Sequence, residues 1–358
     1  MQSKVENIIR TLESKYKNAS EKEPEYMHSA SGSIKYKLHK FSEENFNTYS
    51  PFGADKHFRV AAFDGGSLLI YETPSWNIAY IKLGFRSFEV DLKDKTCNTV
   101  QKDRVLEHDL LMLTEKASGI MSNSTDSVGR QASGGNTKYQ LKKDFDSGSI
   151  LKQMETDFIL KQIENGKVEQ DDLLLIDGAL GPESMKILNR HKNVVAVSKR
   201  TGHCINNCSA ASFMALKARK HKVEDNSWFY YPLVQEYERE QEPVSELIFG
   251  TFQGNSNVFR IDFPYKQVHN ASDQKKFIKE RMNKLSICAL DSKYKAYPYP
   301  LGAVHSDAVM RKNTQDQIKL FIKKHINELK KKSASEVFEM LEKDIQHADW
   351  YDQLRKGA

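Results

Sequence analysis

No stretch of the chain approaches the roughly 18 consecutive apolar residues that a membrane-crossing helix needs, so a membrane-spanning protein is excluded. Cysteine is scarce: four in 358 residues cannot build a disulfide framework. A reduced, intracellular protein is therefore expected. The opening MQSKVENIIRTLESKYKN has no continuous apolar core after its first charges, so no signal peptide is expected there. The phosphate-binding pattern G-x-x-x-x-G-K-S/T is missing, and the chain is not expected to hydrolyse ATP. No internal repeat is visible either. Neither sign of charge dominates: Lys+Arg 54 against Asp+Glu 48 leaves +6. Such a balance suits a polyanionic partner, and suits a solvated basic surface as well.

What is present is enough for a core. Hydrophobic residues make up 39% of the chain, with 18 Phe, 15 Tyr and 3 Trp, so a wholly disordered chain is excluded. Val5, Ile8, Ile9, Leu12 and Tyr16 recur at helical spacing and predict an N-terminal helix. After a polar stretch, RVAAFDGGSLLIYE, NIAYIKLGF and SFEVDL predict adjacent antiparallel strands from Phe58 to Val90. Residues 116–149 are rich in Ser, Gly, Asn and Thr and read as a mobile insertion. A helix is predicted over 150–166, then a strand at DDLLLIDGAL buried on both faces, a helix over 183–192 and a second buried strand at NVVAVSK. Strand, helix, strand implies a parallel pair with a crossover. Further strands are predicted at WFYYPLV, ELIFGTF and VFRIDF, and helices over 272–287, 313–330 and 335–347. The sum is a mixed α/β fold with helical extensions over 1–50 and 311–358 around a central domain, 51–310.

One local grammar occurs twice. Val60-Ala61-Ala62-Phe63-Asp64-Gly65-Gly66 and Leu173-Leu174-Leu175-Ile176-Asp177-Gly178 are both apolar strands that run into Asp-Gly. An ionised Asp at the rim of a buried sheet is costly unless a positive charge compensates it. Glycine beside it lets the backbone turn sharply or approach a ligand. On neighbouring strands, Asp64 and Asp177 would share a divalent metal, and oxygen ligands suit Mg²⁺ or Mn²⁺. Each pair alone also reads as a strand-ending turn. For a third carboxylate, Glu155 and Glu164 lie nine residues apart on one predicted helix, so at about 100° per residue they point to opposite sides. Glu155 falls among Leu151, Phe158 and Ile159, on the buried edge, and is the better candidate. Glu72 is a weaker one: about 26 Å from Asp64 along a straight strand, it needs a hairpin to come close.

Late in the chain, Tyr297-Pro298-Tyr299-Pro300-Leu301-Gly302-Ala303-Val304-His305 predicts an extended approach, with His305 near the start of the next segment. Tyr297 could donate a hydrogen bond to a phosphate oxygen, and His305 could bind metal or move a proton. A structural Tyr-Pro loop with a surface His is the plainer alternative. His203-Cys204 and Cys208 lack a fourth ligand at zinc-site spacing, so zinc is not expected. The lysines from Lys319 to Lys332 read mainly as a solvated helix face.

Taken together, early Asp-Gly, a helix Glu, a second Ile-Asp-Gly-x-Leu, a Val-Ser-Lys strand and Tyr-Pro-Tyr-Pro-Leu…His resemble the NurA nuclease family. The resemblance runs from about Arg59 to His305. It implies a ribonuclease-H-like α/β fold, with a mixed sheet flanked by helices, and a prokaryotic, cytoplasmic, nucleoid-associated protein. The implied activity is a metal-dependent DNA nuclease, with 5′-to-3′ exonuclease and single-strand endonuclease action on linear ends and single-stranded DNA. It implies a homodimer working with a HerA-type hexameric ATPase in double-strand-break end resection. By the same resemblance Asp64, Glu155 and Asp177 would hold Mn²⁺ or Mg²⁺, as two ions. Tyr297 and His305 would complete the catalytic set, and Lys199 with Tyr297 would contact DNA. The first motif departs from the family in its extra glycine, Gly66, and the second in Ala179, where Ser is common. The alternative is a non-catalytic DNA-binding or ATPase-docking subunit on the same fold.

Overall fold

A computed structural model of the chain describes residues 2–29, 35–53, 56–73, 76–93, 96–114, 147–199, 202–237, 243–291, 293–294, 296–332 and 336–357. The segment expected as a mobile insertion lies outside the described residues up to 146; its last three residues begin a helix.

The N-terminal third starts with α1 (Gln2–Glu21), followed by three short strands, β1 (Tyr26–Ser29), β2 (Lys35–Leu38) and β3 (Phe46–Tyr49). Three long strands follow: β4 (His57–Glu72), β5 (Trp76–Lys93) and β6 (Thr96–Thr114). The middle holds α2 (Ser147–Glu164), β7 (Leu173–Asp177), α3 (Met185–Leu188), β8 (Val194–Ser198), β9 (His203–Ile205), β10 (Cys208–Ser209) and α4 (Ala210–Lys220). Then come β11 (Ser227–Tyr230), β12 (Val234–Tyr237), β13 (Ser245–Thr251) and β14 (Phe259–Pro264). The chain closes with α5 (Tyr265–His269), α6 (Gln274–Cys288), α7 (Tyr299–Ala308), α8 (Lys312–Lys332) and α9 (Glu336–Gly357). Among the described residues, no helix is long and apolar enough to cross a membrane.

The larger sheet has nine strands in the order β3-β11-β13-β14-β8-β7-β4-β5-β6. It is mixed: β4, β7 and β8 run parallel, while β8, β14, β13, β11 and β3 alternate. The expected α/β architecture, a mixed sheet flanked by helices, is the one the chain adopts. A second, five-stranded antiparallel sheet has the order β10-β9-β1-β2-β12.

By its internal contacts the chain divides into two compact units. The first comprises Met1–Phe63, Phe85–Arg104 and Ile159–Val304; the second comprises Asp64–Gly84, Val105–Phe158 and His305–Ala358. The first unit is built on β7 and β8. Leu173, Leu174, Leu175 and Val194 to Val197 are all nearly inaccessible, because strands covered on both faces have no solvent side to make polar. Burying each of the Leu and Val side chains contributes roughly 1.5–3 kcal/mol. Val60 and Ala62, Leu173 and Leu175, Val195 and Val197, and Ile261 and Phe263 form one cluster with Ile278, Met282 and Leu285 of α6. A charge at Leu175 would have no partner there, and this one change would break the layer. The second unit has its own core, in which Ile70, Tyr71 and Trp76 meet Ile326, Ile345 and Ala348 of α8 and α9.

Several elements differ from expectation. The N-terminal segment expected as a helical extension also supplies β1, β2 and β3. The strand region extends past Val90 through all of β6, whose Lys102, Arg104, Glu107, His108 and Asp109 hide the strand pattern; they suit the edge position that β6 occupies in the sheet order. The helix expected over 183–192 shrinks to one turn of 3-10 helix and the four residues of α3. The last helix runs on to Gly357. The lysine face of α8 is not simply solvated. Lys319 and Lys323 both meet Asp349 of α9, at 2.9 and 2.6 Å, and Lys330 meets Glu342 at 3.0 Å.

Candidate metal centre

In the first unit, β4 and β7 pair in parallel, residue for residue, from Val60↔Leu173 to Phe63↔Ile176. Asp64 is the next residue of β4, and Asp177 the next of β7. Beyond them the strands diverge in behaviour. β4 runs on for eight residues to Glu72, whereas β7 stops at Asp177 and the chain turns through Gly178 at φ +119. Such a φ is accessible to glycine and strained for any other residue.

The second unit gathers three of the expected residues. Asp64 Oδ2 lies 2.7 Å from His305 Nδ1, and the Gly65 backbone N–H donates to Asp64 Oδ1 at 2.9 Å. Glu155 of α2 packs against the glycine: a Cβ at position 65 would stand 2.5 Å from Glu155 Oε1. The absent side chain at 65 is therefore what admits the Glu155 carboxylate. Gly66, the residue by which the motif exceeds the family pattern, clears space of a different kind: a Cβ there would stand 2.6 Å from the Ala308 carbonyl of α7. Both carboxylates are largely withdrawn from water, with side-chain exposures of 9% for Asp64 and 13% for Glu155. Lys152, one turn back on α2, donates to Glu155 Oε2 at 3.0 Å. His305 sits in the last turn of α7, with Pro300 in its first, so the Tyr-Pro segment leads into a helix that carries the histidine instead of an extended run ending before it.

The first unit gathers the others. Lys199, just beyond β8, donates to Asp177 Oδ2 at 2.7 Å, and its ammonium stands 4.8 Å from the centre of the Tyr297 ring. That ring is 7% exposed and packs against Phe259. Tyr297 therefore forms the floor under a cation, a contact worth about 1 kcal/mol or more when partly desolvated. Glu164 is exposed at the end of α2, as its helical phase predicts. Glu72 is removed from the set: residues 64 to 72 are one continuous strand with no hairpin between them, so it stays distant from Asp64. His203 and Cys204 are consecutive on β9 and thus point to opposite faces, which does not suit shared ligation.

Sequence reasoning passed over three residues that shape these surroundings. Lys152 looked like any surface lysine. Arg260 and Asp262 on β14 form a bidentate pair with both contacts at 2.7 Å, and Asp262 is fully buried. Their signal was two charges at i and i+2 in the otherwise apolar VFRIDF, which places both on one face of a strand.

In the second unit, the Asp64 carboxylate, the His305 imidazole and the Glu155 carboxylate behind a glycine are hard oxygens with one nitrogen, donors of the kind that suit a divalent cation. The partly buried Asp64 and Glu155 fit it too, since negative charge withdrawn from water calls for positive charge nearby. A carboxylate has two oxygens and about four lone-pair sites, so the lysine contacts at Asp177 and Glu155 do not use up its capacity.

No protein-family model matches the chain, and no curated protein does. Several solved structures resemble it, two nucleases among them. One is the NurA nuclease from Sulfolobus solfataricus, 13% identical, covering 91% of this chain and 94% of that one with a TM-score of 0.45. The other is Ciona intestinalis endonuclease V in complex with a DNA containing an inosine, 12% identical, covering 84% of this chain and 95% of that one with a TM-score of 0.33. What this chain's residues can do is thus argued from the two sets themselves.

Proposed function

We propose that this chain is a divalent-metal-dependent DNA nuclease in which Asp64, Glu155, Asp177 and His305 form the metal site. The observation that carries the reading is the strand register: the parallel pairing ends at Phe63↔Ile176, and each strand continues with an aspartate. Three carboxylates and an imidazole suffice for two cations, and the mixed oxygen and nitrogen set favours Mn²⁺ over Mg²⁺. A cation bound there supplies a water of lowered pKa and a counter-charge for a phosphoryl oxygen. The protein's own part is positional. Asp64, within β4, and Asp177, at the end of β7, would supply carboxylate oxygens to the metal. Glu155, reaching past Gly65, completes the negative set. His305, its Nδ1 2.7 Å from Asp64 Oδ2, would supply the nitrogen of the set. Lys199, steadied over Tyr297, is the cation available to a phosphate.

The finer reading keeps what the family resemblance implies: 5′-to-3′ exonuclease and single-strand endonuclease action in end resection, as a homodimer with a HerA-type hexameric ATPase. The test is incubation of the purified chain with end-labelled linear DNA, with and without Mn²⁺. Cleavage that needs the metal and disappears in Asp64→Ala and Asp177→Ala is the expected result. Tight DNA binding with no cleavage at any metal concentration would overturn the nuclease reading in favour of a non-catalytic binding or docking subunit.

A further inference from the structure

The loop after Asp177 is pinned at two points. Gly178 N–H donates to the Val197 carbonyl of β8 at 2.9 Å. Two residues on, Leu180 N–H donates to Asp262 Oδ2 at 3.0 Å. Asp262 is not a neighbour of the loop in sequence or on an adjacent strand. It lies on β14, opposite Ala196 of β8, and Ala196 in turn lies opposite Ile176 of β7. Its carboxylate is fully buried and is held from behind by Arg260, Nε to Oδ1 and Nη2 to Oδ2, both at 2.7 Å. Arg260 Nη1 in turn stands 3.4 Å from His203 Nδ1 on β9. The Arg260 side chain is 12% exposed. A buried ion pair of this kind adds little net stability over apolar residues of the same volume. Its neighbours Ile261 and Phe263 show that β14 packs well with such residues. The pair's distinguishing contact is with the loop that follows Asp177.

We propose that the Arg260–Asp262 pair positions Asp177: by holding Leu180 N–H it fixes the Gly178–Leu180 loop, and with it the direction in which the Asp177 carboxylate leaves the end of β7. The role rests on reading Asp177 as a metal ligand. Asp262 touches no reacting atom under this proposal and acts through the backbone alone.

The experiment compares Mn²⁺ binding, measured without DNA by calorimetry and by the electron-spin signal of free Mn²⁺, across variants of the full chain. Asp262→Ala is expected to weaken Mn²⁺ binding by roughly 10–100-fold, the range for groups that orient a ligand from behind. In cleavage, the half-saturating Mn²⁺ concentration is expected to rise by the same factor, with kcat at saturating Mn²⁺ changing less. Asp262→Asn keeps an acceptor for Leu180 N–H and should recover part of the loss. Ile278→Ala, a cavity in the same unit, serves as a control that lowers Tm without moving the Mn²⁺ affinity. Should Asp262→Ala not fold, the double variant Arg260→Met with Asp262→Leu removes both charges together and is expected to show the same weakening. Wild-type binding that is lost in Asp177→Ala but unchanged by Asp262→Ala or by the double variant would overturn the positioning role alone. Wild-type protein that binds no Mn²⁺ would overturn the metal reading and this proposal with it.

Discussion

The two Asp-Gly sites begin from the same local grammar, an apolar strand running into Asp-Gly, and end as different devices. At Asp64 the strand does not stop. Its glycines act as clearance, one for the Glu155 carboxylate and one for the Ala308 carbonyl, and the chain stays extended to Glu72. At Asp177 the strand ends, and glycine acts as a hinge at φ +119, with the loop beyond it tied to β8 and β14. A glycine after an acid can thus make room for a neighbour or change the direction of the chain, and the sequence pattern alone does not say which.

Four experiments probe this comparison. The largest effect is expected from the acids themselves: Asp64→Ala and Asp177→Ala should each remove Mn²⁺-dependent cleavage of linear DNA, with the far-ultraviolet circular dichroism unchanged. Retained cleavage in either would show that only one of the two strand ends serves the site.

The second separates the two surroundings by pH. Burial, together with the nearby Arg260 guanidinium, pulls the His203 pKa from 6.5 down to about 4. The unfolded chain then binds a proton that the folded chain refuses. The stability His203 contributes is therefore complete above pH 6.5 and is lost as pH falls towards 4, by up to roughly 3 kcal/mol. His203→Gln should lose less stability than wild type in urea titrations between pH 7 and 4.5. Because His203 backs the Arg260–Asp262 pair, acid is expected to loosen the Asp177 turn before the Asp64 strand, and amide exchange at Leu180 against that at Phe63 reads the order.

The third exchanges the glycines. Gly178→Ala places a side chain at a φ that strains it, and should lower stability by about 1–3 kcal/mol in denaturant titrations. Gly65→Ala meets the movable end of Glu155 instead, so stability should hold while cleavage falls. The opposite pattern would mean that the two glycines have been assigned the wrong roles. The smallest effects are expected from the lysines. Lys152→Met and Lys199→Met remove partly exposed pairs and should each cost under about 1 kcal/mol. Only Lys199→Met should also weaken DNA binding, as read by fluorescence anisotropy.

Much of this organisation was legible in the chain. β7 and β8 are runs of four and five apolar or small residues, and a strand covered on both faces leaves no other pattern to write. The helical phase of α2 separated Glu155 from Glu164 correctly. β6 was hidden because an edge strand carries charges where an interior strand would carry valines. β1, β2 and β3 were hidden because YMHS, KYKL and FNTY are too short and too polar to show a period. The Arg260–Asp262 pair could not be tied to the Asp177 loop from sequence, since its partner Leu180 lies 82 residues away and donates through its backbone, where side-chain identity leaves no trace.

The double grip of Lys319 and Lys323 on Asp349, with Lys330 on Glu342, has a consequence for any measurement of polyanion affinity. Ammonium groups already neutralised by the protein's own acids release few counterions when a phosphate backbone arrives, so the 54 Lys and Arg overstate how many cations this chain can offer a polyanion in dilute buffer. Raising the ionic strength also frees those three lysines from α9. The logarithmic salt slope should therefore steepen at the high end, where α8 begins to lend charges that it keeps to itself in dilute buffer.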